Sequence, residues 1–122
     1  MYQTTIIIGN LGRDPEMRYT QSGVPVASFS VATTRRWTND AGVGQEKTTW
    51  FRVTAWRKLA EVCNQYLAKG RQVMVEGEID TSAWTSAEGE ARASLELTAR
   101  TVKFLGKRDD SLSLDGVEAV PF

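Results

Sequence analysis

The alternation of hydrophobic and polar side chains is clearest between residues 48 and 58, which read TTWFRVTAWRK. Successive side chains of a β-strand point to opposite faces. One face is apolar and holds Phe51, Val53 and Ala55. The other combines indoles with a cation and holds Trp50, Arg52, Thr54 and Trp56. Flat rings beside a cation are what a surface for unpaired bases needs, although the two indoles could also be buried against a second layer or a partner subunit.

The same pattern, followed along the chain, predicts five strands and one helix. The strands are expected over residues 3–8, 24–34, 48–57, 72–80 and 92–105. Residues 58–69 follow the helical period, with Gly70 as the stop. In the last strand the apolar parity changes between Ala99 and Val102, which indicates a β-bulge. The sequence therefore predicts an all-β protein, a five-stranded OB-fold barrel with one α-helix between strands 3 and 4.

The segments between these elements contain turn residues. Residues 9–12 (GNLG) are expected to break the first strand, and residues 17–20 form a short extended piece. Residues 38–46 and 82–91 are predicted to be flexible loops, the second of which carries Trp84. Strict alternation would direct Trp37 towards the core, so a bulge or the loop is expected to turn it outward.

Charge divides the chain into a body and a tail. Residues 1–108 hold 15 Lys and Arg against 11 Asp and Glu, whereas residues 109–122 hold four acids and no base. This asymmetry suggests a polyanion site and a separate tail. We therefore predict an OB-fold domain over residues 1–106 and a short, acidic, disordered C-terminal tail over residues 107–122.

Composition also points to a cellular compartment. No apolar run is long enough for a membrane span, and the first residues lack the features of a secretory signal. Cys63 is the single cysteine and fits a reducing cytoplasm. The prediction is a cytoplasmic, nucleoid-associated protein with no membrane partner.

Two kinds of side chain are candidates for a binding surface. The four tryptophans all have polar or charged neighbours, unlike a typical core Trp, so at least two are predicted to lie on a binding surface. They are Trp37, Trp50, Trp56 and Trp84. Cations lie in or near the same strands and are the candidates for phosphate contacts. They are Arg35, Arg36, Arg52, Arg57, Lys58, Lys69 and Arg71.

Catalytic and metal chemistry is not favoured. The chain has no histidine, and Cys63 lies on the apolar face of the predicted helix without a partner base. Glu76, Glu78 and Asp80 share one strand face, but a hard cation needs several convergent oxygens, so a solvated face is the better interpretation. Residues 9–12 do not have the spacing of a phosphate-binding loop. We predict no enzyme activity, no cofactor and no metal site.

Several blocks of the sequence resemble the bacterial single-stranded DNA-binding protein family. The blocks are residues 9–19, 26–37, 48–53 and 58–77, together with the terminal Pro121-Phe122. The resemblance implies an OB fold assembled as a homotetramer, with single-stranded DNA wrapped around it and bound without sequence reading. It also implies a role in DNA replication, recombination and repair. An RNA-binding OB module and a protein-interaction module are the alternatives.

The resemblance also implies roles for particular residues. The family's stacking aromatics correspond to Trp37, Trp50, Trp56 and Trp84, although the better-known members carry Phe at the Trp56 position. Its basic DNA contacts correspond to Arg52, Lys58 and Lys69, and Phe51 matches a subunit contact. Residues 80–83 lack the basic side chains that the family often has before its last stacking Trp. The tail residues that would dock replication and repair proteins are Asp115, Glu118, Val120, Pro121 and Phe122.

Overall fold

The computed structural model describes residues 1–105, which form six strands and one helix. In chain order these are β1 (Thr5–Leu11), β2 (Glu16–Tyr19), β3 (Pro25–Thr38), β4 (Gly44–Trp56), α1 (Lys58–Tyr66), β5 (Gln72–Thr85) and β6 (Ala91–Leu105). The strands form one sheet in the order β1-β5-β6-β4-β3-β2.

A short pairing between β1 and β3 closes this sheet into a barrel. Asn10 lies opposite Ala32 and Leu11 opposite Val31, so the ring runs β1-β5-β6-β4-β3 and returns to β1. Strand β2 pairs with β3 and lies outside the ring. The predicted five-stranded OB-fold barrel is confirmed, and the predicted short extended piece is the additional strand β2.

The expected break after the first strand is wrong. Strand β1 continues through Gly9 to Leu11 instead of ending at Ile8. A Cβ atom at Gly9 would collide with the carbonyl oxygen of Ala32. Gly9 is therefore a point of close backbone approach, which lets β1 meet β3 and close the barrel.

The barrel interior is filled by the inward faces of the strands, and the helix packs against it. Buried side chains with at most 1% exposure include Val31, Val53, Val73, Val75 and Leu97. Each such side chain contributes about 1.5–3 kcal/mol relative to an exposed one. Helix α1 adds Ala60 and Cys63 to the same core cluster. Burial raises the pKa of the Cys63 thiol to about 12, because the thiolate would lose its hydration.

The helix is shorter than predicted and ends at Tyr66 instead of residue 69. Leu67 has extended backbone angles and is buried in the core, while its N–H still bonds to the Cys63 carbonyl. Gly70 has a positive φ but belongs to the following turn, in which the Arg71 N–H bonds to the Ala68 carbonyl. The helix therefore ends where Leu67 turns into the core, three residues before Gly70.

The β-bulge predicted in the last strand is confirmed. Glu76 pairs with Thr101 and Gly77 pairs with Ala99, so Arg100 is the extra residue of β6. A Cβ atom at Gly77 would collide with the carbonyl of Thr98. The bulge therefore combines one inserted residue with one glycine that tolerates close approach of the neighbouring strand.

About half of each predicted flexible loop belongs to the flanking strands, which corrects the predicted extent of both loops. Strands β3 and β4 pair as far as Thr38 and Gly44, and β5 and β6 as far as Thr85 and Ala91. Only residues 39–43 and 86–90 turn. Side-chain oxygens of Asn39 and Ser86 accept backbone N–H bonds within these turns. Local turn chemistry of this kind lets the strands extend beyond the barrel.

Both hairpins leave the barrel at the same end. Strands β4 and β6 are parallel, and they pair only from Phe51–Thr54 to Leu95–Thr98. The residues that precede these stretches therefore extend in the same direction. The fold presents two arms, defined here as the β3–β4 arm and the β5–β6 arm, beyond one end of the barrel.

Candidate nucleic-acid interface

The outer face of β4 carries two exposed indoles with a guanidinium between them. Trp50 and Trp56 are 54% and 45% exposed, and Arg52 is exposed, whereas the alternating residues Val53 and Ala55 are fully buried. The predicted two-faced alternation of this strand is therefore confirmed. The two indoles are six positions apart in the sequence, which corresponds to about 20 Å along a strand.

Trp50 lies against the backbone of Gly12 in the turn after β1. A Cβ atom at Gly12 would lie 2.6 Å from Cζ3 of the indole, closer than any real contact. The Gly12 N–H donates to the Ser30 carbonyl at 3.0 Å, which fixes that turn against β3. The indole is thus supported on one side by backbone and remains half exposed on the other.

Trp37 lies near the end of the β3–β4 arm and is 41% exposed. The expected bulge or loop is wrong, because the β3–β4 register continues without a shift to Trp37 opposite Gln45. Trp37 keeps the inward parity, but the arm extends past the barrel, where no core covers that face. The Arg35 guanidinium lies 4.8 Å from its ring centroid. Trp37 and Trp50 therefore occupy opposite faces of the arm.

Trp84 lies in strand β5 and not in a loop, which corrects its predicted location. It pairs with Arg92 near the end of the β5–β6 arm and is 48% exposed. Its parity matches Asp80, which pairs with Glu96, and Glu96 pairs with Arg52. Trp84 therefore belongs to the same outer sheet face as the β4 indoles.

The predicted phosphate-binding cations fall into three groups. Arg52, Arg57 and Lys58 lie exposed on or just after β4. Arg35 and Arg36 lie on the β3–β4 arm, where the Nε of Arg36 donates to Glu46 at 3.0 Å. Lys69 and Arg71 lie beside the turn that supports Trp50, since the Lys69 N–H donates to Asp14 and the Arg71 carbonyl accepts from Leu11.

Arg71 differs from the other candidate cations. Its side chain is only partly exposed, and its Nε is buried without a hydrogen-bond partner within residues 1–105. Because its Nε is buried, the guanidinium of Arg71 has less freedom to follow a phosphate than the ammonium group of the exposed Lys69.

The structure also adds side chains that sequence reasoning did not select. A groove of about 460 Å³ beside Trp56 is lined by residues of four strands. Among them are Arg18 and Tyr19 of β2 and Glu96 of β6. Tyr19 is 65% exposed. An aromatic residue beside a cation in a four-residue strand is a signal in the sequence, but only strand register brings Tyr19 near Trp56.

Acidic side chains occupy the part of the outer face next to β4. Glu78 and Asp80 of β5 share parity with Glu96 of β6, which pairs with Arg52. Within the described residues, no three His, Cys, Asp or Glu side chains converge as metal ligands. No helix in the same part of the chain is long and apolar enough to cross a membrane.

The proposed tail residues lie outside the residues that the structure describes. They are Asp115, Glu118, Val120, Pro121 and Phe122.

Comparison with known proteins places this geometry in a family. The model of the single-strand binding protein family matches residues 2–105. Single-stranded DNA-binding protein 1 of Xylella fastidiosa is 44% identical over 106 residues, covering 86% of this chain and 78% of the relative. Single-stranded DNA-binding protein 1 of Chlorobaculum tepidum is 42% identical over 105 residues, covering 85% of this chain and 65% of the relative.

Two further comparisons extend the match. The single-stranded DNA-binding protein of Neisseria meningitidis serogroup A is 42% identical over 106 residues, and the match covers 87% of this chain but 61% of the relative. The chain thus spans less than two thirds of the Chlorobaculum and Neisseria relatives. A solved structure described as the Plasmodium falciparum SSB complex with ssDNA aligns with a TM-score of 0.76 and 26% identity, covering 87% of this chain and 97% of that one. The chain belongs to the single-strand binding protein family.

Proposed function

We propose that this protein binds single-stranded DNA without reading its sequence, and that it coats and protects exposed strands during replication, recombination and repair. The observation that carries the proposal is the row Trp50–Arg52–Trp56 on the outer face of β4, in a chain of this family. Indoles stack on any base, and cations neutralise phosphates of any sequence. The function we propose is therefore binding, not catalysis.

The four tryptophans are proposed to be the stacking platforms. Each retains an exposed fraction between 41% and 54%, so an aromatic surface is available without unfolding. Stacking contributes about 1–3 kcal/mol per base. Arg35, which already lies over Trp37, would support one face of that ring while the other receives a base.

The seven candidate cations are proposed to contact phosphates. Arg36 already pairs with Glu46, but both side chains are more than half exposed. Such a surface pair contributes at most about 1 kcal/mol, so a phosphate can replace the Glu46 carboxylate at small cost.

Titration of intrinsic tryptophan fluorescence with oligo-dT, at low and high salt, tests the proposal. We expect strong quenching and an affinity that falls with salt, at a log–log slope of about −0.7 per phosphate contact. Competition with a ribo-homopolymer separates this function from RNA binding. Absence of quenching with every single strand would refute the proposal and would favour a protein partner for the tryptophan face.

Assembly into a homotetramer is part of the proposal, and strand β1 supports it. Residues 5–9 pair with β5 on one side only, because the β3 pairing begins at Asn10. Ile6 and Ile8 are 56% and 53% exposed on this strand. An open strand edge beside exposed isoleucines is a surface that proteins usually cover.

The acidic tail, residues 107–122, is proposed to recruit replication and repair proteins in a cytoplasmic, nucleoid-associated setting. Its terminal residues include Pro121 and Phe122, and its acids are poor DNA ligands. Deletion of residues 107–122 should leave oligo-dT binding intact and abolish partner capture. Equal partner capture by the full and shortened chains would refute this role.

A further inference from the structure

A single residue connects strand β4 to helix α1. Strand β4 ends at Trp56 and the helix begins at Lys58, so Arg57 alone makes the turn between them. The backbone angles of Arg57 are φ 61° and ψ −129°. Among residues 1–105, it is the only residue other than glycine that has a positive φ. Glycine adopts such angles readily, whereas a residue with a Cβ atom is strained by them.

Two backbone hydrogen bonds hold Arg57 in this conformation. Its N–H donates to the Pro25 carbonyl at the start of β3 at 2.9 Å, and its carbonyl accepts from the Glu61 N–H of α1 at 3.2 Å. The residue is therefore tied to the barrel on one side and to the helix on the other. Its φ cannot become negative unless one of these bonds breaks or the helix moves, so the surrounding fold maintains the strain.

The contacts of the Arg57 side chain within the described fold do not offset this strain. The side chain is exposed, so it adds no packing to the core. It makes no hydrogen bond that caps the helix. None of the ion pairs found within residues 1–105 includes it. A glycine would make the same turn without strain and would keep both backbone hydrogen bonds.

The neighbours of Arg57 indicate where its side chain is used. Trp56 precedes it and is 45% exposed on the outer face of β4, and Lys58 follows it and is also exposed. Consecutive Cα atoms lie about 3.8 Å apart, so the guanidinium shares one short stretch of surface with the indole and the ammonium group. Backbone strain is concentrated at functional sites, where the use of a side chain offsets its cost to stability.

We propose that Arg57 lowers the stability of the free protein through its strained backbone and raises the affinity for single-stranded DNA through its guanidinium. The inference rests on the proposed function. It also separates Arg57 from the other candidate cations, because none of them has a positive φ in the described part of the chain. One substitution at this position should therefore make the protein more stable and its DNA binding weaker.

Three substitutions separate the backbone of Arg57 from its side chain. Arg57→Gly removes both the strain and the charge, Arg57→Gln removes only the charge, and Arg57→Lys removes neither. Urea unfolding without DNA, at one protein concentration, measures the stability of each variant. The urea midpoint of Arg57→Gly should rise by about 0.5 M, because relief of strain exceeds the entropic cost of glycine. The midpoints of Arg57→Gln and Arg57→Lys should stay close to that of the original protein.

Titration of the same variants with oligo-dT measures the contribution of the guanidinium. Arg57→Gly and Arg57→Gln should each bind about threefold to tenfold more weakly at low salt, because one phosphate contact is lost. Their log–log salt slopes should become less steep by about 0.7 for the same reason. Arg57→Lys should keep the original slope, since lysine also neutralises a phosphate. A role of Arg57 in folding alone would leave the slope of every variant unchanged.

Lys58→Gly is the matched control for the gain in stability. It removes the neighbouring cation from a residue that belongs to α1 and has no positive φ. Its DNA binding should also weaken, but its urea midpoint should fall, because glycine loses more conformational freedom on folding than lysine. A midpoint that rises in Arg57→Gly and falls in Lys58→Gly would assign the gain to the strained turn.

The outcomes separate this inference from the proposed function. The inference alone is overturned if the original protein binds oligo-dT but Arg57→Gly is no more stable than it. The same holds if Arg57→Gln keeps the affinity and the salt slope of the original protein. If the original protein does not bind oligo-dT at all, the proposed function fails and the inference fails with it.

Discussion

At the scale of single residues, the exposed tryptophans are supported in different ways. Trp50 lies on the backbone of Gly12, while Trp37 lies beneath the Arg35 guanidinium. Trp56 flanks a groove whose floor is the small Val26. Each of these three indoles thus has a neighbour that is small or planar, and those neighbours should matter for binding as well as the rings.

Gly12→Ala should weaken single-stranded DNA binding about fivefold, because the new methyl group displaces the Trp50 indole and loses part of one stacking contact. Fluorescence titration with oligo-dT measures this effect. Gly44→Ala is the control, since a Cβ atom there meets nothing within 4 Å and the residue lies in the β3–β4 arm.

The origin of that loss can be assigned by a double-mutant cycle. In a Trp50→Ala background, Gly12→Ala should have little further effect, because the displaced ring is already absent. An equal loss in both backgrounds would show that Gly12 acts through the turn and not through Trp50.

Cys63 should resist thiol reagents in the folded protein. Its side chain is fully buried, and burial raises its pKa to about 12, so the reactive thiolate is scarce at pH 8. As the single cysteine of the sequence, it gives a one-site measurement with iodoacetamide. Modification should be slow in buffer and complete in urea; modification in buffer at the rate of a free thiol would contradict the burial of α1 against the barrel.

At the scale of elements, the sequence predicts what depends on local alternation. The two faces of β4 and the bulge of β6 were both visible as changes of side-chain parity. The continuation of β1 through Gly9 is not visible in the sequence. The glycine is needed because the backbone of Ala32, a residue distant in the chain, comes too close for a side chain. The full length of the two arms cannot be read from the sequence for a related reason. Polar side chains are typical of loops, but they also suit strands that extend past the barrel, where no core needs to be covered.

Gly77→Ala should destabilise the fold by about 1–3 kcal/mol or more, because the added methyl group overlaps the Thr98 carbonyl at the bulge. Urea unfolding followed by tryptophan fluorescence measures the loss. Ala83→Gly is a useful comparison, since it alters the exposed arm of the same strand and should cost less. A Gly77→Ala protein as stable as the original would mean that β6 can shift its register at Arg100.

At the scale of the whole molecule, strand order distributes charge across the outer face. Strand β4 carries Arg52 between two indoles, whereas β5 and β6 place acids on the adjoining part of the face. Across the barrel, a bound strand should therefore run over β4, β3 and β2 and meet the acidic row only at its edge, whereas it would reach Trp84 on the β5–β6 arm. The β2 contribution could not be predicted from sequence, because it depends on the register that sets Arg18 beside Val26.

Assembly can be tested on the exposed edge of β1. The chain has a mass of 13.6 kDa, so a homotetramer should have about four times that mass in light scattering. Ile8→Glu should shift the mass towards one chain, because a charge on the proposed contact would be buried without a partner. The fold should survive, since Ile8 is 53% exposed in the single chain.

Val43→Glu is the matched control for this change. Val43 is also 53% exposed, but it lies in the turn of the β3–β4 arm, far along the chain from β1. It should leave the mass unchanged. If Ile8→Glu assembles like the original protein, the β1 edge is not the contact; if the original protein has the mass of one chain, the proposed tetramer is wrong. If Ile8→Glu does dissociate the assembly, oligo-dT titration of this variant would show what one barrel binds. The substitution should not act on the indoles of β4 directly, because they lie on a different strand from the substituted edge.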